Sequence, residues 1–223
     1  MNFLSLQQVS KSYRQAGQTI QVLTDLNLDV KKAETIAILG QSGSGKSTLL
    51  SLLAGLDKPE KGQITINQQA IQNMDEGALS KFRGKIMGIV FQHFHLMKHL
   101  TAWENVALPL RIGSHDQVEE RAIEALKMVS LDHRKGHYPY QLSGGEQQRV
   151  AIARAFVTKP ALILADEPSG NLDQETGSQV MDMLFDMIKE QGMTMILVTH
   201  NPSLAEQCNR KLSLRSGKLV EGL

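Results

Sequence analysis

Gly40-Gln41-Ser42-Gly43-Ser44-Gly45-Lys46-Ser47, followed by Thr48, fits the spacing G-x-x-x-x-G-K-[ST]. The chemistry on offer is phosphate binding. Glycines let the backbone curl until successive N–H groups face phosphate oxygens. Lys46 is placed to reach the outer phosphates, and Ser47 offers a hydroxyl to Mg2+. A second group ends the run Leu162-Ile163-Leu164-Ala165-Asp166-Glu167. Asp166 is suited to hold Mg2+, and Glu167 to act as general base for an attacking water, a role worth ~10²–10⁴-fold in rate. A third is Leu142-Ser143-Gly144-Gly145-Glu146, where Ser143 and Glu146 have capping-box spacing. Glycines in that first turn expose backbone N–H groups to an anion.

Each group needs elements to position it. Thr35–Leu39 is short and almost wholly apolar, which reads as a strand buried on both faces. Leu49, Leu52, Leu53 and Leu56 then recur at helical spacing, so a helix starting near Lys46 aims its positive end at the loop. Strand, glycine loop and helix form a nucleotide-binding arrangement. The apolar run before Asp166 reads as another buried strand, and parallel α/β sheets bind ligands at their strands' carboxyl ends. Val150, Ala153 and Phe156 continue the helix opened by Ser143, which stops before Pro160.

Elsewhere Leu26, Leu28 and Val30 alternate with polar residues, as do Ile64 and Ile66, giving half-buried strands of a side layer. Residues 92–141 lack strand signals, and Val118, Ala122, Ala125, Leu126 and Val129 mark an amphipathic helix. Strand character returns at Thr194–Thr199, after a helix marked by Val180, Leu184, Met187 and Ile188 that ends near Gly192. Alternating strands and helices imply a mostly parallel sheet.

Composition narrows the function. The chain has 223 residues, 41% hydrophobic and 21% charged, which suits a globular domain with a real core. Lys and Arg total 24 against 23 Asp and Glu, and aromatics are 4%. That balance argues against a nucleic-acid partner. Cys208 is the one cysteine, which excludes an intrachain disulfide framework and fits a reducing compartment. No run approaches the ~18–20 apolar residues that cross a bilayer. Residues 1–11 carry no secretory signal pattern, so a membrane role would need a second protein.

The order of residues 40–48, Gln92, 142–149, 164–172 and His200 resembles the ATP-binding cassette (ABC) ATPases over essentially the whole chain. Residues 142–146 separate that family from other P-loop NTPases. The resemblance implies an α/β fold, with a RecA-like P-loop parallel core, an antiparallel β side layer and a helical subdomain. One domain would span 1–223, with core and side layer at about 1–91 and 159–223 and the helical subdomain at about 92–158. It also implies a head-to-tail homodimer sandwiching two ATP molecules with Mg2+. Each would lie between residues 40–48 of one copy and Ser143, Gly144 and Gly145 of the other. Tyr13 stands where the family places an aromatic ring against adenine. Gln92 resembles the glutamine sensing Mg2+ and the attacking water, His200 the histidine at the γ-phosphate, and Asp173 the loop joining the two sites.

The branch is narrower. No coiled-coil arm fits between Thr48 and Leu142, only one cassette is present, and 23 residues follow His200, too few for a regulatory domain. Phe91-Gln92-His93-Phe94-His95-Leu96, Leu100-Thr101-Ala102-Trp103-Glu104-Asn105-Val106, Leu108-Pro109-Leu110 and the run 165–173 resemble the ATPases of lipoprotein release from the bacterial inner membrane. Macrolide and peptide exporters are relatives. That resemblance implies a peripheral subunit on the cytoplasmic face of that membrane, driving an integral permease partner by force transmission. The permease would have four transmembrane helices and a large periplasmic domain. Ser169 departs from the threonine usual there, and Glu146 from the glutamine commonest in the wider family. Phe94, Leu96, Leu100 and Trp103 would either line a groove for the permease or pack the helical insert. The alternative function is a soluble ABC ATPase acting on DNA or a protein complex.

Overall fold

The computed structural model describes residues 2–15 and 17–221. In chain order the elements begin with β1 (Asn2–Gln15), β2 (Gln18–Lys31), β3 (Thr35–Leu39), α1 (Lys46–Leu53), β4 (Lys61–Ile66), β5 (Gln69–Ala70), α2 (Glu76–Ile86) and β6 (Met87–Val90). They continue with α3 (Ala102–Ile112), α4 (Val118–Met128), α5 (Gly144–Phe156), β7 (Leu162–Asp166), α6 (Gln174–Gln191), β8 (Thr194–Thr199), α7 (Pro202–Glu206), β9 (Arg210–Arg215) and β10 (Lys218–Glu221). The fold is α/β. The chain divides into two compact units, Met1–Ser80 with Thr194–Leu223, and Lys81–Met193.

In the first unit an antiparallel sheet has the order β2-β1-β4-β5. Leu6 pairs with Leu28 on one side and Ile64 on the other. The alternation read from Leu26, Leu28, Val30, Ile64 and Ile66 is the buried face of this sheet, joined by Leu4 and Leu6. Burying each such side chain contributes about 1.5–3 kcal/mol. The other strands are parallel around β3, with β8 on one side and β9 on the other, and β10 antiparallel beyond β9. Ile36, Ala37 and Ile38 are fully buried, as expected of a central strand. Leu39 pairs with both Thr199 and Ser213, so Gly40 and His200 leave neighbouring strands at the same carboxyl end.

Helix α1 is shorter than the leucine spacing suggested. Gly55 turns left-handed at φ 61°, and the Leu56 N–H bonds back to the Ser51 carbonyl at 2.9 Å. This is the Schellman termination that glycine permits, and it leaves Leu56 outside the helix and 58% exposed.

In the second unit β6 and β7 are parallel, with Val90 opposite Ala165. Helix α5 lies against β6, and a Cβ on Gly88 would fall 2.3 Å from the Ala155 carbonyl oxygen, so glycine is what allows that approach. Helices α3, α4 and α5 pack on one another, and α5 also meets α6. The expected amphipathic face of α4 is buried through Ala122, Ala125 and Leu126, with Val129 just beyond its end. Buried Asn105 accepts from the Met97 N–H and donates to the carbonyls of Met97, Leu100 and Thr101, fixing the loop before α3. Gly192, at φ 59°, ends α6 where the sequence suggested. Among the described residues no helix is long and apolar enough to cross a membrane.

Candidate active site

The phosphate-loop motif occupies the turn between β3 and α1. Gly45 sits at the helix N-cap with φ 100°, a backbone conformation that favours glycine. A side chain there would also come 2.9 Å from Leu23. A Cβ on Gly40 would meet Ser44 Oγ at 2.6 Å and the Leu214 carbonyl at 2.9 Å. The loop is therefore shaped by glycine at its start and its end. Lys46 is buried, and its Nζ donates to the carbonyls of Gly40 and Gln41 at 2.7 and 3.1 Å. The ammonium is thus folded back along the loop it would serve. Ser47 is exposed at the first turn of α1, and Thr48 is half-buried behind it.

His200 follows Thr199 and lines the same pocket as Gly40, Gln41, Ser42, Gly43 and Ser44. That pocket is about 770 Å3, within the range of small-molecule sites. Ser44 Oγ is buried there with no hydrogen-bond partner. A buried hydroxyl without a partner, a lysine ammonium and a helix N-terminus form a donor set that fits phosphate oxygens.

Tyr13 lies on β1 and is 41% exposed, so it is not a core tyrosine. Its hydroxyl donates to Asp57 Oδ2 at 2.8 Å and is also bonded by the Thr48 side chain. Lys11 Nζ donates to Asp57 Oδ1 at 2.6 Å and lies 5.1 Å from the Tyr13 ring centroid. Partial burial and the neighbouring carboxylate raise the phenol above its usual range. Asp57 is partly desolvated, yet the Lys11 and Tyr13 hydrogen bonds hold it below the usual carboxylate range. The ring is thereby fixed at one edge beside α1.

In the second unit, Asp166 ends β7 and Glu167 follows in a left-handed conformation, φ 46°. Its carbonyl accepts from the Gly170 N–H at 2.9 Å, closing a tight turn. Gln92, two residues past β6, packs on that turn: a Cβ on Gly170 would lie 2.8 Å from Gln92 Nε2. Gln92 Nε2 donates to Asn171 Oδ1 at 3.3 Å, while Asn171 Nδ2 donates to the Gln92 carbonyl at 3.0 Å. Asn171 Nδ2 also lies 2.9 Å from His93 Nδ1. Gln92 is thus held against the Glu167–Gly170 turn that follows β7. Asp173 caps α6, its Oδ1 accepting from the Thr176 N–H at 3.0 Å, and that bond holds its carboxyl below the usual range.

Ser143 caps α5 in a full capping box. Its Oγ accepts from the Glu146 N–H at 3.2 Å, and its own N–H donates to Glu146 Oε2 at 2.8 Å. Gly144 is half-buried, and a Cβ on it would make only ordinary contact with Leu172. Gly145 is buried, and a Cβ there would meet Thr176 Cγ2 at 2.5 Å. Its missing side chain therefore has an intrachain reason in the packing of α5 on α6.

Phe94, Leu96, Leu100 and Trp103 are all half-buried. Phe94 and Leu96 line a groove of about 660 Å3 together with His93, Lys98 and Tyr140. Leu100 and Trp103 are not among its lining residues, and Trp103 instead lies under the Arg111 guanidinium, 5.1 Å from its ring.

Sequence reading missed Asp57 and Lys11, and took His93 and Asn171 only as parts of motifs. Lys11 and Asp57 lie 46 residues apart and outside the motifs, so spacing carried no signal.

No group of three or more His, Cys, Asp or Glu side chains able to hold a metal occurs among the described residues. Mg2+ usually takes one or two carboxylates with phosphate oxygens and waters. Ser47 carries a hydroxyl oxygen in the first unit, and Asp166 and Gln92 carry side-chain oxygens in the second, each a donor type that Mg2+ accepts.

Comparison with known proteins gives the family. The family model described as ABC transporter matches residues 23–170. The chain is 47% identical over 222 residues to the uncharacterized ABC transporter ATP-binding protein YbbA of Escherichia coli K12, covering 99% of this chain and 97% of that one. It is 44% identical over 221 residues to the lipoprotein-releasing system ATP-binding protein LolD of Bordetella avium, covering 98% and 96%. A dimeric post-hydrolysis structure of the ATP-binding cassette MJ0796, bound to ADP and Pi, superposes with TM-score 0.89 at 41% identity, covering 97% and 96%. A second dimeric structure, of MJ0796 as a bacterial ABC transporter cassette, matches with the same values. The chain belongs to the ATPases of the ABC transporter family.

Proposed function

We propose that this chain is the ATP-hydrolysing subunit of a bacterial lipoprotein-release or export system, bound peripherally at the cytoplasmic face of the inner membrane. It would drive a separate integral permease partner. The observation that carries the branch is the 44% identity to LolD across nearly the full length of both chains. The dimeric MJ0796 cassette bound to ADP and Pi supports a homodimer that sandwiches ATP.

In this reading the loop N–H groups, Lys46 and the residues Gly40, Gln41, Ser42, Gly43, Ser44, Gly45, Ser47 and Thr48 bind the triphosphate. Tyr13 carries the adenine. Bound Mg2+ would neutralise phosphate charge, held through Ser47, Asp166 and Gln92. Glu167 accepts the proton of the attacking water, and Gln92 and His200 orient the water and the γ-phosphate. Ser143, Gly144 and Gly145 of the second copy donate to that γ-phosphate and favour the transition state. Closing the dimer excludes water from both sites. The groove of Phe94 and Leu96 receives a helix of the permease.

The test is co-purification from detergent-solubilised bacterial membranes using the tagged chain. Recovery of a polytopic protein with a large periplasmic domain, which stimulates ATP hydrolysis on reconstitution, is the expected result. Recovery of only soluble proteins or DNA would favour the soluble ATPase instead.

A further inference from the structure

The signature turn carries a charge that its proposed task does not need. Glu146 stands where glutamine is commonest in the wider family. Either residue can close a capping box on Ser143, because either presents an oxygen to the Ser143 N–H. Only glutamate adds a negative charge. Its Oε2 accepts from that N–H at 2.8 Å, one helical turn from the serine proposed to meet phosphate. That bond, outweighing partial burial, keeps the carboxyl below its usual range, so it is ionised at neutral pH.

Its other oxygen is also engaged. Arg134 Nε donates to Glu146 Oε1 at 3.1 Å, and an Arg134 terminal nitrogen lies 3.2 Å from His137 Nε2. The Glu146 side chain is 16% exposed and that of Arg134 is 39% exposed. Ser143 Oγ accepts from the Glu146 N–H at 3.2 Å, a bond that does not use its own hydroxyl proton. The turn is therefore organised to donate, with one carboxylate behind it and one guanidinium against that carboxylate.

We propose that Arg134 is a positioning residue for the ATPase reaction: it neutralises and orients Glu146, so that Ser143 can receive a nucleotide phosphate beside an acidic residue. This rests on the reading that Ser143, Gly144 and Gly145 face the nucleotide of a second copy. Without Arg134, the carboxylate repels the incoming γ-phosphate. Without both charges, the repulsion disappears, although the hydrogen bond between the two side chains is also gone.

The experiment is a charge cycle on the full chain carrying Glu167→Gln to keep ATP intact. The readout is the ATP concentration for half-maximal homodimerisation, followed by light scattering. Arg134→Gln should raise it about fivefold at low salt, and the increase should shrink at high ionic strength. Adding Glu146→Gln to Arg134→Gln should bring it back to within about twofold of the parent. Thermal unfolding of each variant separates this from loss of fold. If the double variant stays as weak as Arg134→Gln, or if Arg134→Gln changes nothing, the proposal is overturned. Ser143→Arg distinguishes the underlying reading: it should abolish ATP-dependent dimerisation. Dimerisation that survives Ser143→Arg means that the signature turn does not face nucleotide, and both fall together.

Discussion

Asn171 and Gln92 clasp one another through paired amides, 79 residues apart in sequence. The side-chain amide of each reaches the other residue, so neither can swing without breaking a bond. Gly170, just before Asn171, lets the Gln92 side chain lie flat on the turn that begins at Glu167. His93 adds a further contact and lines the groove with Phe94 and Leu96. A movement of that groove's wall therefore reaches Gln92 through a single residue.

Replacing Asn171 tests that clasp. If Gln92 orients the attacking water as proposed, Asn171→Ala should lower kcat for ATP hydrolysis about five- to tenfold, with a much smaller change in KM, because misplacing such a group costs rate more than binding. Asn171→Asp keeps an acceptor for Gln92 Nε2 but loses the donor to its carbonyl, so it should fall between. Steady-state kinetics on both variants decide the matter. Equal and wild-type kcat values would mean that Gln92 holds its place unaided.

Asp57 should control nucleotide affinity through Tyr13. Asp57→Ala removes the acceptor that the Tyr13 hydroxyl and the Lys11 ammonium share. A lost hydrogen bond of about 1 kcal/mol corresponds to roughly fivefold in affinity. KM for ATP should rise by about that factor, with kcat little changed. Fluorescent ATP-analogue titration reads the same shift directly. If Tyr13→Ala weakens binding and Asp57→Ala does not, the ring carries adenine without needing its tether.

Much of this site was legible from spacing alone, because the loop, the acid pair and the signature are local motifs set at strand ends and helix starts. Gly40, Lys46 and Ser143 lie where a strand, a glycine turn and a capped helix put them. The short α1 was not legible, since Leu56 continues the apolar period and only the left-handed Gly55 ends it. The intrachain packing of Gly145 was not legible either. Thr176 lies 31 residues on, in another helix, and no local pattern links the two. Asp57, Lys11 and Arg134 carry no motif, and their partners are set by strand register and helix packing.

Gly145 separates packing from ligand approach. Gly145→Ala forces a Cβ against Thr176 Cγ2, and overpacking of this kind costs about 1–3 kcal/mol. The unfolding temperature should therefore drop by several degrees. Thr176→Ser removes the methyl concerned, so Gly145→Ala with Thr176→Ser should recover most of that stability. If ATPase activity stays low in the restored double variant, the missing side chain also serves the nucleotide.

The cap of α3 gives a pH-dependent stability. Thr101 and Glu104 form a reciprocal capping box, and the Thr101 backbone and side-chain bonds hold the Glu104 carboxyl below its ordinary value of 4.5. A depressed carboxyl adds stability above its unfolded value, and that contribution disappears as pH falls through the folded one. Thr101→Ala should cost about 1 kcal/mol at pH 7. In a chain of this size that lowers the unfolding temperature by about 2–4 °C. The difference between variant and wild type should narrow in thermal melts taken well below pH 4.5. A gap that stays constant with pH would assign the stabilisation to the Thr101 hydroxyl alone.

In the proposed mechanism Glu167 bears the heaviest chemical demand. Its left-handed backbone directly after β7 is an unusual conformation for a non-glycine residue, and such strain persists where surrounding structure enforces it. The Gly170 N–H on its carbonyl supplies that enforcement. Glu167→Gln keeps the shape and removes the proposed base. Hydrolysis should fall ~10²–10⁴-fold, the range for loss of a general base, with ATP binding retained. The variant should accumulate as an ATP-loaded homodimer, visible by light scattering, because closure precedes the blocked step. Single-turnover hydrolysis near the wild-type rate would move the base elsewhere, and His200, in the phosphate-loop pocket, would become the residue to replace next.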